Sequence, residues 1–236
     1  MPLLLAVDTS GKNGSIALAR WMDGQQELNV LEVLPLTGGA FSAQLVPQIA
    51  AILEKHGYTR LDIGALAVAS GPGSFTGLRV GLAAIKALSE ALQKPIAAVS
   101  LLEALAFAGN AHGNVLAVLD AGRGDVYAGD YEVESLVSAT PAMRSERLLS
   151  REEFLDKIND TNLESTAIVT SDAMLAESLR ASGIIPEGRL QLIAPPDSAV
   201  IAQLAWRHLR QGRTVLPENL EPNYIRRSDA EIFSKQ

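Results

Sequence analysis

The chain contains no cysteine. Disulfides, thiolate nucleophiles and cysteine-based zinc sites are excluded at once. Histidine is scarce: His56, His112 and His208 stand singly, and no two share the i, i+4 spacing of a helical zinc site. Aromatic residues make up only 5%, so any core must be mainly aliphatic. Positive charge is in deficit, with 20 Lys and Arg against 27 Asp and Glu and a formal net charge of −7. Gripping nucleic acid needs a basic surface, which argues against a chain that holds nucleic acid by itself. It leaves open a subunit whose basic surface lies on another chain. Long hydrophobic runs are missing too. Residues 1–7 are apolar but meet Asp8 at once, lack a basic lead-in and are too short for a signal segment or a membrane span. The expectation is a soluble, cytoplasmic protein with no membrane contact. No Gly-x-Ser-x-Gly segment supports an elbow-type hydrolase.

What is present is enough apolar material, 47% of 236 residues, for a sizeable core. The length permits one large domain or two compact lobes. Apolar runs predict strands at 3–8, 15–20 and 28–34, close enough in sequence for an antiparallel meander. Leu45, Val46, Ile49, Ile52 and Leu53 recur at helical spacing, predicting a helix over 42–56, capped by Ser42 and distorted at Pro47. A strand at 65–69, a helix over about 78–93 and a strand at 96–99 follow. Then the plan restarts. A strand at 115–120 ends in Asp120 as the first ends in Asp8, a glycine turn follows, and a strand at 126–131 comes next. The second half continues with helices at 151–158, 173–182 and 198–211 and strands at 167–169 and 190–193. This weak repeat predicts two related lobes, 1–108 and 109–236, the second carrying the terminal helix and tail.

The most unusual segment is Ser70-Gly71-Pro72-Gly73-Ser74-Phe75-Thr76-Gly77. Glycines permit positive φ and close backbone approach, and a helix start offers free N–H groups. Asp8, Thr9, Ser10, Gly71, Gly73 and Ser74 are therefore candidate phosphate or nucleotide contacts. Known phosphate patterns fail, however. Leu78-Arg79 follow Gly77 where a P-loop has Lys-Ser/Thr, and Thr76 stands where a dinucleotide fingerprint has its third Gly. A tight turn with close helix packing is the favoured reading. Asp120 reads best as the cap of its own turn, and Asp8 stays open between cap and ligand. Gly77, Gly81 and Ala84 form a flat stripe that suits close helix approach. Arg207, Arg210, Arg213, Arg226 and Arg227 give the C-terminal end a basic character, either a solvated face or an anionic contact.

Residues 4–10 (LLAVDTS), 15–19 (SIALA), 70–81 (SGPGSFTGLRVG), 120–129 (DAGRGDVYAG) and 220–227 (LEPNYIRR) together resemble the TsaB (YeaZ) family. The resemblance runs the length of the chain in order. It implies an α/β, two-lobed actin/Hsp70/sugar-kinase-like (ASKHA) fold made of RNase-H-like halves. It implies a non-catalytic partner of TsaD in the complex that transfers a threonylcarbamoyl group to N6 of the tRNA adenosine beside the anticodon. The ATPase TsaE would join that complex, tRNA would be met only through it, and the chain alone would form a homodimer. No catalytic residue, metal ligand or cofactor of its own is implied; ATP and metal would sit on partner subunits. The shortage of histidine agrees, because TsaD carries paired metal-binding histidines. The family's partner helices match 42–56 and 77–92 here, so Leu45, Ile49, Ile52, Leu53, Val80, Ala84 and Leu88 are the candidate interface. Two departures are visible. Phe41-Ser42 replaces the usual His-Ser, and Gly122-Arg123 replaces an arginine pair, so only Arg123 carries over. The alternatives are a nucleotide-dependent phosphotransferase of the same fold, for which Asp8 and the glycine turn speak, and a peptidase. Only the family's former grouping with glycoprotease-like sequences suggests the latter.

Overall fold

The computed structural model describes residues 2–22, 27–37, 40–134, 140–160 and 165–225. Two units emerge, one of residues 1–104 with 196–222 and one of 105–195 with 223–236. Each holds a five-stranded sheet.

In the first unit β1 (Leu3–Asp8), β2 (Gly14–Arg20) and β3 (Asn29–Leu36) form the expected antiparallel meander. The chain then crosses over through α1 (Phe41–Lys55) to β4 (Ile63–Gly71), and through α2 (Phe75–Leu92) to β5 (Ile96–Ser100), both strands parallel to β1. Parallel neighbours need such crossovers, because a tight turn only reverses the chain. The sheet order is β3-β2-β1-β4-β5. After α3 (Leu101–Ala108), the second unit repeats the plan: β6 (Gly113–Gly122), β7 (Asp125–Val133), β8 (Ala142–Ser150), α4 (Arg151–Asn159), β9 (Thr166–Thr170), α5 (Ala173–Ala181) and β10 (Leu190–Leu192). Its order, β8-β7-β6-β9-β10, matches the first sheet strand for strand. The faint strand-Asp-turn repeat in the sequence thus marks a full duplication of an RNase-H-like plan.

The central strand β1 is buried along its whole length. Leu3, Leu5 and Val7 join the core beneath α1 and α2 with Leu45, Ile49, Ile52, Leu53, Leu78, Leu82 and Ile85. Leu4 and Ala6 alternate to the other face. There α6 (Ser198–Arg210) lies against β1, β2, β4 and β5 and buries Ile201, Ala202, Leu204 and Ala205 completely. This corrects the boundary expected at 108/109. The terminal helix follows the second half in sequence but packs on the first sheet, because a strand buried on both faces needs a cover on each. His208 of α6 bonds Glu103 of α3 at 2.8 Å, both buried, and Trp21 packs on Trp206 with ring centroids 4.9 Å apart.

Local details differ from expectation. Ser42 does not cap α1; the helix starts at Phe41 without a side-chain cap and runs through Pro47 unbroken. The second helix starts at Phe75, earlier than its apolar period shows, because Ser74 accepts a bond from the Gly77 N–H at 3.3 Å and so starts the helix. The helix α3 escapes periodicity, since LLEALAFA has one polar residue and no polar face. The strand β8 escapes it because it is a charged edge strand, AMRSERLLS, with no buried residue. Among the described residues no helix is long and apolar enough to cross a membrane. Arg226 and Arg227 lie outside the described residues.

Candidate functional site

The carboxyl end of β1 delivers Asp8, Thr9 and Ser10 to the start of α2, and all three are buried. Oδ1 of Asp8 accepts bonds from Ser10 N at 2.9 Å and Ser10 Oγ at 2.6 Å. The Ser10 carbonyl accepts from Ser74 N at 2.7 Å. Thr9 Oγ1 donates to the Gly77 carbonyl at 2.7 Å. The glycines explain how backbone and helix come so close. A Cβ on Gly73 would lie 2.6 Å from the Ser10 carbonyl oxygen, on Gly77 2.0 Å from that of Thr9, and on Gly81 2.4 Å from Thr9 Oγ1. Gly71 has φ 114, a conformation that side chains rarely adopt. The spacing 73-77-81 is therefore a groove in which the end of β1 lies, and the tight-packing reading of this segment holds.

Beside this junction is a cavity of about 430 Å³, lined by Ser10, Gly11, Lys12, Phe41, Ser42, Ser74, Thr76, Gly77 and Val80. Of the six candidate phosphate contacts, only Ser10 and Ser74 reach it. Asp8 is tied to Ser10, Thr9 to Gly77, and Gly71 and Gly73 are off the lining. The sequence reading missed Lys12, Ser42 and Thr76 as cavity residues. No local signal marks them, because three separate segments converge there.

Burial raises the Asp8 pKa above the usual carboxylate value; the two bonds from Ser10 oppose the shift, and the charge of Asp197 adds to it. A raised folded-state pKa stabilises the fold fully below the unfolded value of 3.8, and that contribution is lost as pH rises through the folded value. At neutral pH the carboxylate therefore works against folding. Asp8→Asn keeps an oxygen for Ser10 and removes the charge. It should raise the Tm at pH 7 by about 2–4 °C, the size that about 1 kcal/mol gives in a chain of this length, with the gain shrinking toward pH 4. Calorimetry across pH checks this; an equal or lower Tm at pH 7 would refute it.

Asp120 is exposed and accepts from Gly122 N at 3.1 Å, the turn-capping role expected of it. Arg123, at φ 61, sits at the tip of that turn. Among the described residues no three His, Asp or Glu side chains gather where they could hold a metal ion.

The candidate interface residues divide into two groups. Leu45, Ile49, Ile52 and Leu53 are 1–5% exposed and belong to the core. Their helical period is the inward stripe of α1, so they offer no surface to a partner, and that expectation is corrected. Val80, Ala84 and Leu88 are half-buried. They border an outward face that is small and apolar in its middle: Ala43, Val46, Pro47 and Ala50 on α1, with Ala83 and Ala87 on α2, where the exposed Arg79 and Glu90 flank the two alanines along the helix. Val46 is 62% exposed.

Comparison with known proteins places this geometry. The family model described as TsaD, tRNA N6-adenosine threonylcarbamoyltransferase, matches residues 35–233. The chain is 29% identical to the tRNA threonylcarbamoyladenosine biosynthesis protein TsaB of Escherichia coli, covering 96% of each chain. It is 35% identical to TsaB of Bacillus subtilis over 56% of each. The solved structure of YeaZ from Pseudomonas aeruginosa superposes with a TM-score of 0.70 at 26% identity, over 95% of this chain and all of that one. With a family model matched over most of its length and TsaB and YeaZ proteins as its relatives, the chain belongs to the TsaD family.

Proposed function

We propose that this chain is a non-catalytic partner of a TsaD protein in tRNA threonylcarbamoyladenosine biosynthesis, and that it docks through the outward face of α1 and α2. The observation that carries the reading is that face. Alanines, Val46 and Pro47 stand exposed on two packed helices, with charge on the α2 stripe only at its flanks, Arg79 and Glu90, on a chain of net charge −7. Exposed apolar patches of this kind mark protein interfaces, and small side chains let helices approach closely. In this reading TsaD transfers the threonylcarbamoyl group to N6 of the adenosine beside the anticodon, in the cytoplasm. TsaE joins the assembly, ATP and metal belong to the partner subunits, and tRNA is contacted through the complex. The same face closes a homodimer when the chain is alone. Reconstitution with and without this chain tests the role. Modification should fall to background without it, and full activity from TsaD and TsaE alone would sink the proposal.

A second reading, a nucleotide-dependent phosphotransferase of the same fold, draws on the cavity beside Lys12, Ser10 and Ser74. Tight binding of ATP and magnesium by the isolated chain in a calorimetric titration would favour it.

A further inference from the structure

We infer that Thr9 is a positioning residue for partner recognition: its hydroxyl sets the height of α2 above the sheet and so the contour of the face that α2 presents. This rests on the docking reading proposed above. Thr9 follows directly on β1, a strand buried on both faces, and is itself 2% exposed. Its Oγ1 meets the Gly77 carbonyl in the first turn of α2 at 2.7 Å. That separation is a hydrogen-bond distance between oxygens; a carbon in the same place needs about 3.3 Å or more. One helical turn on, a Cβ on Gly81 would lie 2.4 Å from the same hydroxyl oxygen, so the glycine is what lets that hydroxyl sit against the helix. Ser74 N, bonded to the Ser10 carbonyl, holds the segment just before the helix to the same turn. The start of α2 is thus located by one hydroxyl and two glycines on a rigid strand end.

What α2 displays makes that location matter. Ala83, Ala84 and Ala87 have no side-chain torsions with which to adjust to a partner. A helix displaced by a few tenths of an ångström keeps its fold but loses close packing across the contact, since close-packed surfaces tolerate little volume error.

The test is titration of purified cognate TsaD with the full chain and its Thr9 variants, with thermal unfolding measured in parallel. Thr9→Val puts a methyl where the hydroxyl bonds and should weaken binding about tenfold, while the chain stays folded at assay temperature. Thr9→Ser keeps the hydroxyl and should bind within about threefold of the native chain. A Thr9→Val protein that is less stable but binds TsaD as the native chain does would overturn the inference, because a purely structural role moves the Tm alone. If the Val variant does not fold, Thr9→Ala removes the bond without the clash, and unchanged affinity there is equally fatal. Ala87→Glu separates the two ideas. If it binds TsaD normally, the docking reading fails; if it does not bind while Thr9→Val does, only the positioning role fails.

Discussion

Leu53→Asp is expected to leave the isolated chain unfolded at ordinary temperature. Leu53 is 4% exposed and packs in the core that joins α1 and α2 to the first sheet. Truncating a buried leucine costs about 2–5 kcal/mol. A carboxylate there adds the cost of an unpaired buried charge or of its neutralisation. A fold stable by about 5–15 kcal/mol has little left after that. Circular dichroism and thermal unfolding of the chain on its own make the check, with no partner present. A cooperative transition near the native Tm would mean that Leu53 does not carry the core, and would return it to the interface.

Ala87→Glu should do the opposite. Ala87 is exposed on α2, and glutamate is a good helix former, so the isolated chain should keep its Tm within a degree or two, the scatter that ordinary surface substitutions of about 0.5 kcal/mol produce. Docking on TsaD would bury that carboxylate among apolar side chains without a partner for its charge. Binding should weaken by at least about a hundredfold, because desolvating an unpaired charge costs several kcal/mol. Calorimetric titration against TsaD reads it, and mass by light scattering reads the homodimer at the same time. Native affinity in Ala87→Glu would remove α2 from the interface. The contrast between the two variants is the useful result, since one acts without a partner and the other only with one.

Leu53 and Ala87 also show where sequence reading stops. The apolar period of α1 locates a helix and its stripe, but periodicity cannot say whether the stripe faces the chain's own sheet or another protein. The side chains suited to either are the same. All the larger apolar residues of α1 but Val46 went inward, and its outward face is left otherwise to alanines and Pro47, which carry a weaker signal. The glycine segment is a related case. Gly73, Gly77 and Gly81 announce close approach, yet what approaches, the backbone of Thr9 and Ser10 and the Thr9 hydroxyl, lies over sixty residues away.

Some things the order of residues determined alone. The absence of cysteine and the sparse histidines closed off whole classes of site. The repeated strand, aspartate and glycine turn determined a duplicated sheet, because local pattern and turn chemistry act over a few residues at a time. Only the tertiary structure decided that α6 crosses to the first sheet, that four of the seven interface candidates are core, and that Lys12, Ser42 and Thr76 share a cavity. The physical reason is the same in each case. Burial and convergence are properties of surfaces that meet from distant segments, and nothing along a single segment records what will lie against it.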